Sequence, residues 1–218
     1  MRSKESFARG FGEPFGDAQR IPSVECFRSI LAYASETHPE ALLLTGDNLE
    51  WMHPAGERLL VRLLREYGRP FLCVPGNHET ASLPGAWEPG VRVLACEGFR
   101  IVAVDDREKT VSDEDMRRLE ELAAEGVPMI VMFHIPVAAS GNRERMRQFG
   151  TYYVIDGESG DDNGRRFVRF LEEEDTVRAA LCGHVHGWSR TEIVPGKPQI
   201  TASQGMAGFI HRLTVKGD

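Results

Sequence analysis

The sequence predicts an α/β domain built on a mixed sheet. Two observations carry that prediction. From about residue 20 onward, short apolar runs of strand length alternate with segments of helical periodicity. From about residue 190 the pattern changes to successive strand-like runs separated by Gly and Pro turns. Alternating strands and helices followed by a strand-rich tail are the signature of a mixed sheet with helices on its faces. No internal repeat or linker divides the 218 residues, so the chain is read as one domain spanning 1–218, with an atypical or truncated first strand in residues 1–20.

The elements follow in order. Residues 21–34 read as a helix with Pro22 near its start and Phe27, Ile30, Leu31 and Ala34 on one face. Residues 41–44 form a short apolar run closed by Thr45-Gly46, which suits a buried strand. Residues 54–67 are helical, with Leu59, Leu60, Leu63 and Leu64 at helical spacing, and residues 71–74 are a second buried strand closed by Pro75-Gly76. Strands are expected over 91–95 and 99–104. Ser112 with Asp115 marks a helix N-terminus, and that helix runs to about Ala124. Then come a strand over 129–133, a long irregular stretch over 137–162, a helix over 163–174 and a strand over 179–182. Strands over 191–194, 199–202 and 209–215 complete the reading.

Composition narrows the function. Lys and Arg number 26 against 33 Asp and Glu, a net charge of −7, and no basic cluster stands out; a nucleic-acid partner is therefore not expected. No run approaches the roughly 18 apolar residues of a membrane span. The charged start is not followed by the apolar stretch of a secretory leader. Cys26, Cys73, Cys96 and Cys182 are far apart and form no C-x-x-C pair, which suits a reduced, cytoplasmic protein, although a disulfide stays open.

Four segments share one feature: each places a metal-capable side chain just after a buried strand. They are Gly46-Asp47-Asn48-Leu49-Glu50, Gly76-Asn77-His78-Glu79, Phe133-His134-Ile135-Pro136 and Gly183-His184-Val185-His186-Gly187. In open α/β sheets, sites form outside the carboxyl ends of the strands, so the four ends would converge on one rim. Taken singly, Gly46-Asp47 reads equally as a plain turn, His78 as a capping or core histidine and His134 as a loop histidine. His184 and His186 are harder to dismiss, because residues i and i+2 of an extended segment point to the same side. A mixed oxygen and imidazole set suits Mn, Fe, Co or Zn better than Ca or Mg.

In this order the four segments resemble the calcineurin-like metallophosphoesterase superfamily, whose motifs GD-x-x-D/E, GNH-E/D, a strand-end His and GH-x-H stand here as GDNLE, GNHE, FHIP and GHVHG. The resemblance covers roughly residues 40–215. It implies a four-layer α-β-β-α sandwich of two mixed sheets flanked by helices. It also implies a phosphoesterase that hydrolyses a phosphate mono- or diester with a metal-activated hydroxide at a dinuclear centre of divalent transition metals, Mn foremost. By the same resemblance Asp47 bridges the metals; Asn77, His134 and His184 complete one site; and His186 joins the other. His78 contacts the phosphoryl oxygens or protonates the leaving group, and Glu50 orients His78. The substrate is then a small-molecule or phosphoprotein phosphate ester.

One family motif is missing. The D-x-H at the end of the first strand has no counterpart; the nearest segment is Asp17-Ala18-Gln19, about thirty residues before Asp47. Asp17 is carried as a metal ligand, with Gln19 in the histidine's place. Alternatively the first strand is truncated or replaced and Asp17 is part of a loop; the chain is then a single-metal or non-catalytic interaction module on the same fold. Substrate choice would rest on the 137–162 loop and on the loop around 83–89. Trp87, Tyr152 and Tyr153 in those loops read as ordinary packing residues ahead of substrate-stacking ones. Oligomeric state is not legible.

Overall fold

A computed structural model of the protein describes residues 23–216. Its helices are α1 (Ser23–Thr37), α2 (Pro54–Tyr67), α3 (Asp113–Ala124), α4 (Arg143–Arg147) and α5 (Asp162–Glu173). Its strands are β1 (Leu42–Leu44), β2 (Phe71–Cys73), β3 (Arg92–Cys96), β4 (Phe99–Ala103), β5 (Met129–Met132), β6 (Val137–Ala138), β7 (Ile155–Asp156), β8 (Val177–Cys182), β9 (Ser189–Val194) and β10 (Lys197–Thr201). The helix termini have local causes. In α2, Pro54 opens the helix, the His53 ring accepts the Ala55 N–H, and Gly68 ends it in the left-handed region at φ 64°. In α3 the Ser112 hydroxyl accepts the Asp115 N–H, as its spacing predicts.

A six-stranded sheet in the order β3-β4-β5-β8-β10-β9 is parallel in its middle and antiparallel at both edges. A second sheet pairs β1 and β2 in parallel. Strand alternation sorts the apolar residues into layers. Ile101, Ala103, Ile130, Met132 and Leu181 face Leu72 and Val74 of the second sheet. Val102, Val131, Phe133, Ala180 and Cys182 face α3 and α5 through Leu119, Phe167 and Leu171. On the far side of β1 and β2, Leu42 and Cys73 are covered by Leu60, Leu63 and Leu64 of α2 and Leu31 and Ala34 of α1. The stack is therefore helix, sheet, sheet, helix, the expected four layers.

Two expectations need correction. Residues 209–215 form no strand: Phe209, Leu213 and Val215 are exposed, and no strand among the described residues forms a ladder with this segment. Strand-like composition is not enough where no ladder partner exists. Residues 137–162 are not irregular. They contain β6, α4, a 3-10 turn at Thr151–Tyr153 and β7, with β6 and β7 paired in parallel over Met146 and Val154. Elements of two to five residues are too short to register as periodicity. Elsewhere strand and helix ends shift by one to three residues, and the expected start at residue 21 lies outside the described residues. Trp87 is a packing residue as read, 1% exposed with its indole N–H donating to the Ala81 carbonyl. No helix among the described residues is long and apolar enough to cross a membrane. All four cysteines are free thiols.

Candidate metal centre

The segments that follow β1, β2, β5 and β8 meet at the carboxyl ends of the parallel strands. Asp47 leaves β1 in the left-handed region at φ 52°, a conformation that costs energy unless its surroundings hold it. The buried Glu79 holds it. One carboxylate oxygen accepts the Asp47 N–H at 3.1 Å and the Gly76 N–H at 2.6 Å, and the other accepts Leu49 N–H at 2.7 Å. The Asp47 side chain in turn accepts the His78 N–H at 3.2 Å. Gly46 and Gly76 make the close approach possible. A Cβ on Gly46 would lie 2.3 Å from His134 Nδ1, and one on Gly76 would lie 2.2 Å from Asp47 Oδ1.

His134 is the centre of the cluster. Its Nδ1 donates to the Thr45 carbonyl at 2.7 Å. A neutral imidazole has only one N–H, so Nε2 presents a lone pair. Asp47 Oδ2, Asn77 Oδ1 and His184 Nδ1 each lie 3.2 Å from that nitrogen. Three electron-rich atoms thus converge on a fourth. A proton on Nε2 could serve one of them; a single cation serves all four. Asp47, His134 and His184 offer ligand atoms within 4.8 Å of one another. Anchoring the remote ring nitrogen on a main-chain carbonyl is the usual setting of a metal-ligating histidine. The residues present therefore fit a divalent transition metal.

Electrostatics agree. Burial opposes charge on Asp47, but the hydrogen bond and charge of His134 hold its carboxyl below the ordinary value. Burial likewise opposes charge on His134, yet Asp47 raises it. The pocket favours positive charge at His134 Nε2. Burial, then the neighbouring His134, pushes His184 down to about 4, and burial lowers His186. Both are neutral near pH 7, the form that ligates metal.

The two histidines of Gly183-His184-Val185-His186-Gly187 reach the site by a different route from the expected one. They are not alternate residues of an extended strand. Both adopt the left-handed region, at φ 66° and 58°, in a bend that follows β8. Backbone strain of this kind collects at functional sites. His186 stands among the charges of Asp47, His134 and His78 but outside the tight group. The His78 Nδ1 donates to the main-chain carbonyl of Glu50 at 2.9 Å. The expectation that Glu50 orients His78 is thus corrected in its atom: the contact runs through the backbone, and Glu50 itself is exposed. Asp17 and Gln19 lie outside the described residues.

Three contributors escaped the sequence reading: Glu79, Asp106 and the Thr45 carbonyl. Glu79 closes the GNHE segment, and Asp105-Asp106 follow the apolar run 99–104 as acids at a strand end. Both carboxylates bind only backbone N–H groups, and no residue letter marks such a partner.

The model of the calcineurin-like phosphoesterase family matches residues 15–188. The chain belongs to this family. Members of this family are phosphoesterases that generally use divalent metals. Every residue of the cluster lies within the matched stretch. The chain is 26% identical over 172 residues to a probable cyclic nucleotide phosphodiesterase from Synechococcus, covering 72% of this chain; it spans 62% of that relative's length. Its fold is similar to that of a dimetal phosphatase from Danio rerio, with a TM-score of 0.63 at 12% identity over 84% of this chain and 78% of the other.

Proposed function

We propose that the chain hydrolyses a small phosphate mono- or diester at a dinuclear centre of divalent transition metals. The observation that carries this reading is the convergence of Asp47 Oδ2, Asn77 Oδ1 and His184 Nδ1 on His134 Nε2. These four residues would hold one ion. Asp47 and His186 would contribute to a second, with Asp17 completing it. Bound ions supply positive charge that lowers the pKa of water towards neutrality and offsets the charge of the phosphoryl oxygens. His78, fixed through its backbone N–H to Asp47 and through its ring to the Glu50 carbonyl, would contact a phosphoryl oxygen or give a proton to the leaving alkoxide. The mixed donor set suits Mn, Fe, Co or Zn, and Mn is the first to test. The Synechococcus relative's description makes a cyclic phosphodiester the first natural substrate to test.

Metal content of the purified protein and turnover of chromogenic phosphomonoester and phosphodiester substrates with added Mn test the proposal together. Nearly two ions per chain, turnover of one substrate and its loss in His184→Ala are the expected results. One ion with turnover would restrict the centre to Asp47, Asn77, His134 and His184. If no ion binds and neither substrate turns over with Mn, Co, Ni or Zn, the chain is a non-catalytic interaction module on this fold.

A further inference from the structure

The segment that carries His134 is held by buried side chains rather than by the sheet. The last N–H that this stretch gives to the β8 ladder is that of Phe133, to the Leu181 carbonyl at 3.0 Å. Beyond it the backbone leaves the sheet, and its amides need other acceptors. Asp106, just past the end of β4 and fully buried, accepts the His134 N–H on Oδ1 and the Ile135 N–H on Oδ2, both at 2.7 Å. Pro136 has no N–H. Gln199 on β10, also fully buried, accepts the Val137 N–H at 2.9 Å and donates to the Val137 carbonyl at 3.1 Å. Two side chains from the neighbouring elements therefore satisfy every amide from 134 to 137.

Their positions relative to the site differ. Gln199 clamps Val137, three residues past His134. Asp106 grips the backbone N–H of His134 itself. That residue's ring is anchored through Nδ1 on the Thr45 carbonyl, and its own carbonyl accepts the Gly183 N–H at 2.9 Å, next to His184. A shift of the His134 main chain would thus move Nε2 and disturb the loop that presents His184.

We propose that Asp106 is a positioning residue for the metal centre: its carboxylate fixes the His134 backbone, and through it the place of Nε2, without touching metal or substrate. The inference rests on the metal-centre reading above. Both carboxylate oxygens accept main-chain N–H groups. Outer-shell partners of this kind typically cost roughly 10- to 100-fold in metal affinity when replaced.

The test compares Asp106→Asn with Gln199→Met in the full chain. Asn keeps the size of Asp but replaces one acceptor oxygen with an NH2 group. Met keeps the bulk of Gln and loses both hydrogen bonds of a clamp remote from the ligands. Mn affinity is measured by titration calorimetry, the Co-loaded visible spectrum reports ligand geometry, and thermal unfolding of the metal-free protein reports stability. Asp106→Asn is expected to bind Mn roughly 10- to 100-fold more weakly with a changed Co spectrum. Gln199→Met is expected to lose stability while keeping the wild-type affinity and spectrum. Wild-type affinity in Asp106→Asn, or equal weakening in both variants, overturns the inference and leaves the metal-centre reading intact. Absence of any Mn binding by the wild type overturns that reading and the inference with it. Where Asp106→Asn does not fold, Asp106→Glu decides: it keeps both acceptors one methylene further out and is expected to weaken Mn binding, whereas unchanged affinity and spectrum overturn the inference.

Discussion

The carboxylate of Glu79 accepts the main-chain N–H of Asp47 at 3.1 Å, and this bond joins two loops that share no sheet hydrogen bond at that level. Glu79 belongs to the loop after β2, which carries Asn77; Asp47 belongs to the loop after β1. With Gly76 and Leu49 as further donors, the buried carboxylate sets the spacing of two proposed ligands. Burial pushes Glu79 up to about 7, opposed by the Gly76 and Leu49 amides. Glu79→Gln swaps an acceptor for a donor and leaves at least one buried amide unsatisfied. It should cost about 1–3 kcal/mol in thermal or denaturant unfolding and roughly tenfold or more in kcat/KM on a phosphodiester with Mn. Wild-type kcat/KM would show that the two loops keep their spacing without it.

Gly76→Ala directs a methyl group at Asp47 Oδ1, 2.2 Å away. The side chain there is not a free end, because it also accepts the His78 N–H. Overpacking of this kind costs about 1–3 kcal/mol. Metal uptake should fall as well, since relief of the clash displaces the carboxylate proposed to bind it. Unfolding curves and metal content of the purified variant check both effects.

His134→Ala and His186→Ala should separate the two proposed ions. The first removes the atom on which three others converge and should abolish the ion held by Asp47, Asn77 and His184. The second leaves that group intact. Metal content by mass spectrometry is expected to show loss of the first ion in His134→Ala and its retention in His186→Ala. Equal losses would mean that one shared site binds all the metal.

Acid stability should depend on Asp156. Its carboxylate pairs with Arg147 at 2.6 Å and is held down to about 2, chiefly by that bond, against an ordinary value of 3.8. The folded state thus binds the proton less readily than the unfolded chain. Stability from this group is complete above about pH 4 and is lost as the pH falls towards 2. Asp156→Asn should flatten the fall of the unfolding midpoint between those values and leave the curve above pH 5 parallel to wild type.

Phe167 on α5 is fully buried and meets Phe133 edge to face, with centroids 5.2 Å apart at 83°. Phe133 immediately precedes His134. Phe167→Ala should destabilise the protein by about 3–5 kcal/mol through lost burial and the cavity left behind. Chemical denaturation of the metal-free protein measures it.

The sequence by itself determined the order of elements from α1 to β10, apart from the short ones between residues 137 and 162. Apolar runs on opposite faces of successive strands, such as Ile101 and Val102 in β4, can be satisfied only by layers on both sides. It also determined the metal-capable side chains, because Asp, Asn and His just past buried strands leave a recognisable pattern. It could not determine that residues 209–215 lack a strand partner, since pairing is a property of two segments. Nor could it determine the left-handed bend that aims His184 and His186, the Glu50 carbonyl that accepts a hydrogen bond from His78, or the backbone clamps of Glu79 and Asp106. Those contacts join residues 28 to 32 positions apart through main-chain N–H or C=O groups, and nearly every residue type carries both. Side-chain chemistry is written in the residue letters. The placement of the backbone that presents it was decided only when four strand ends met.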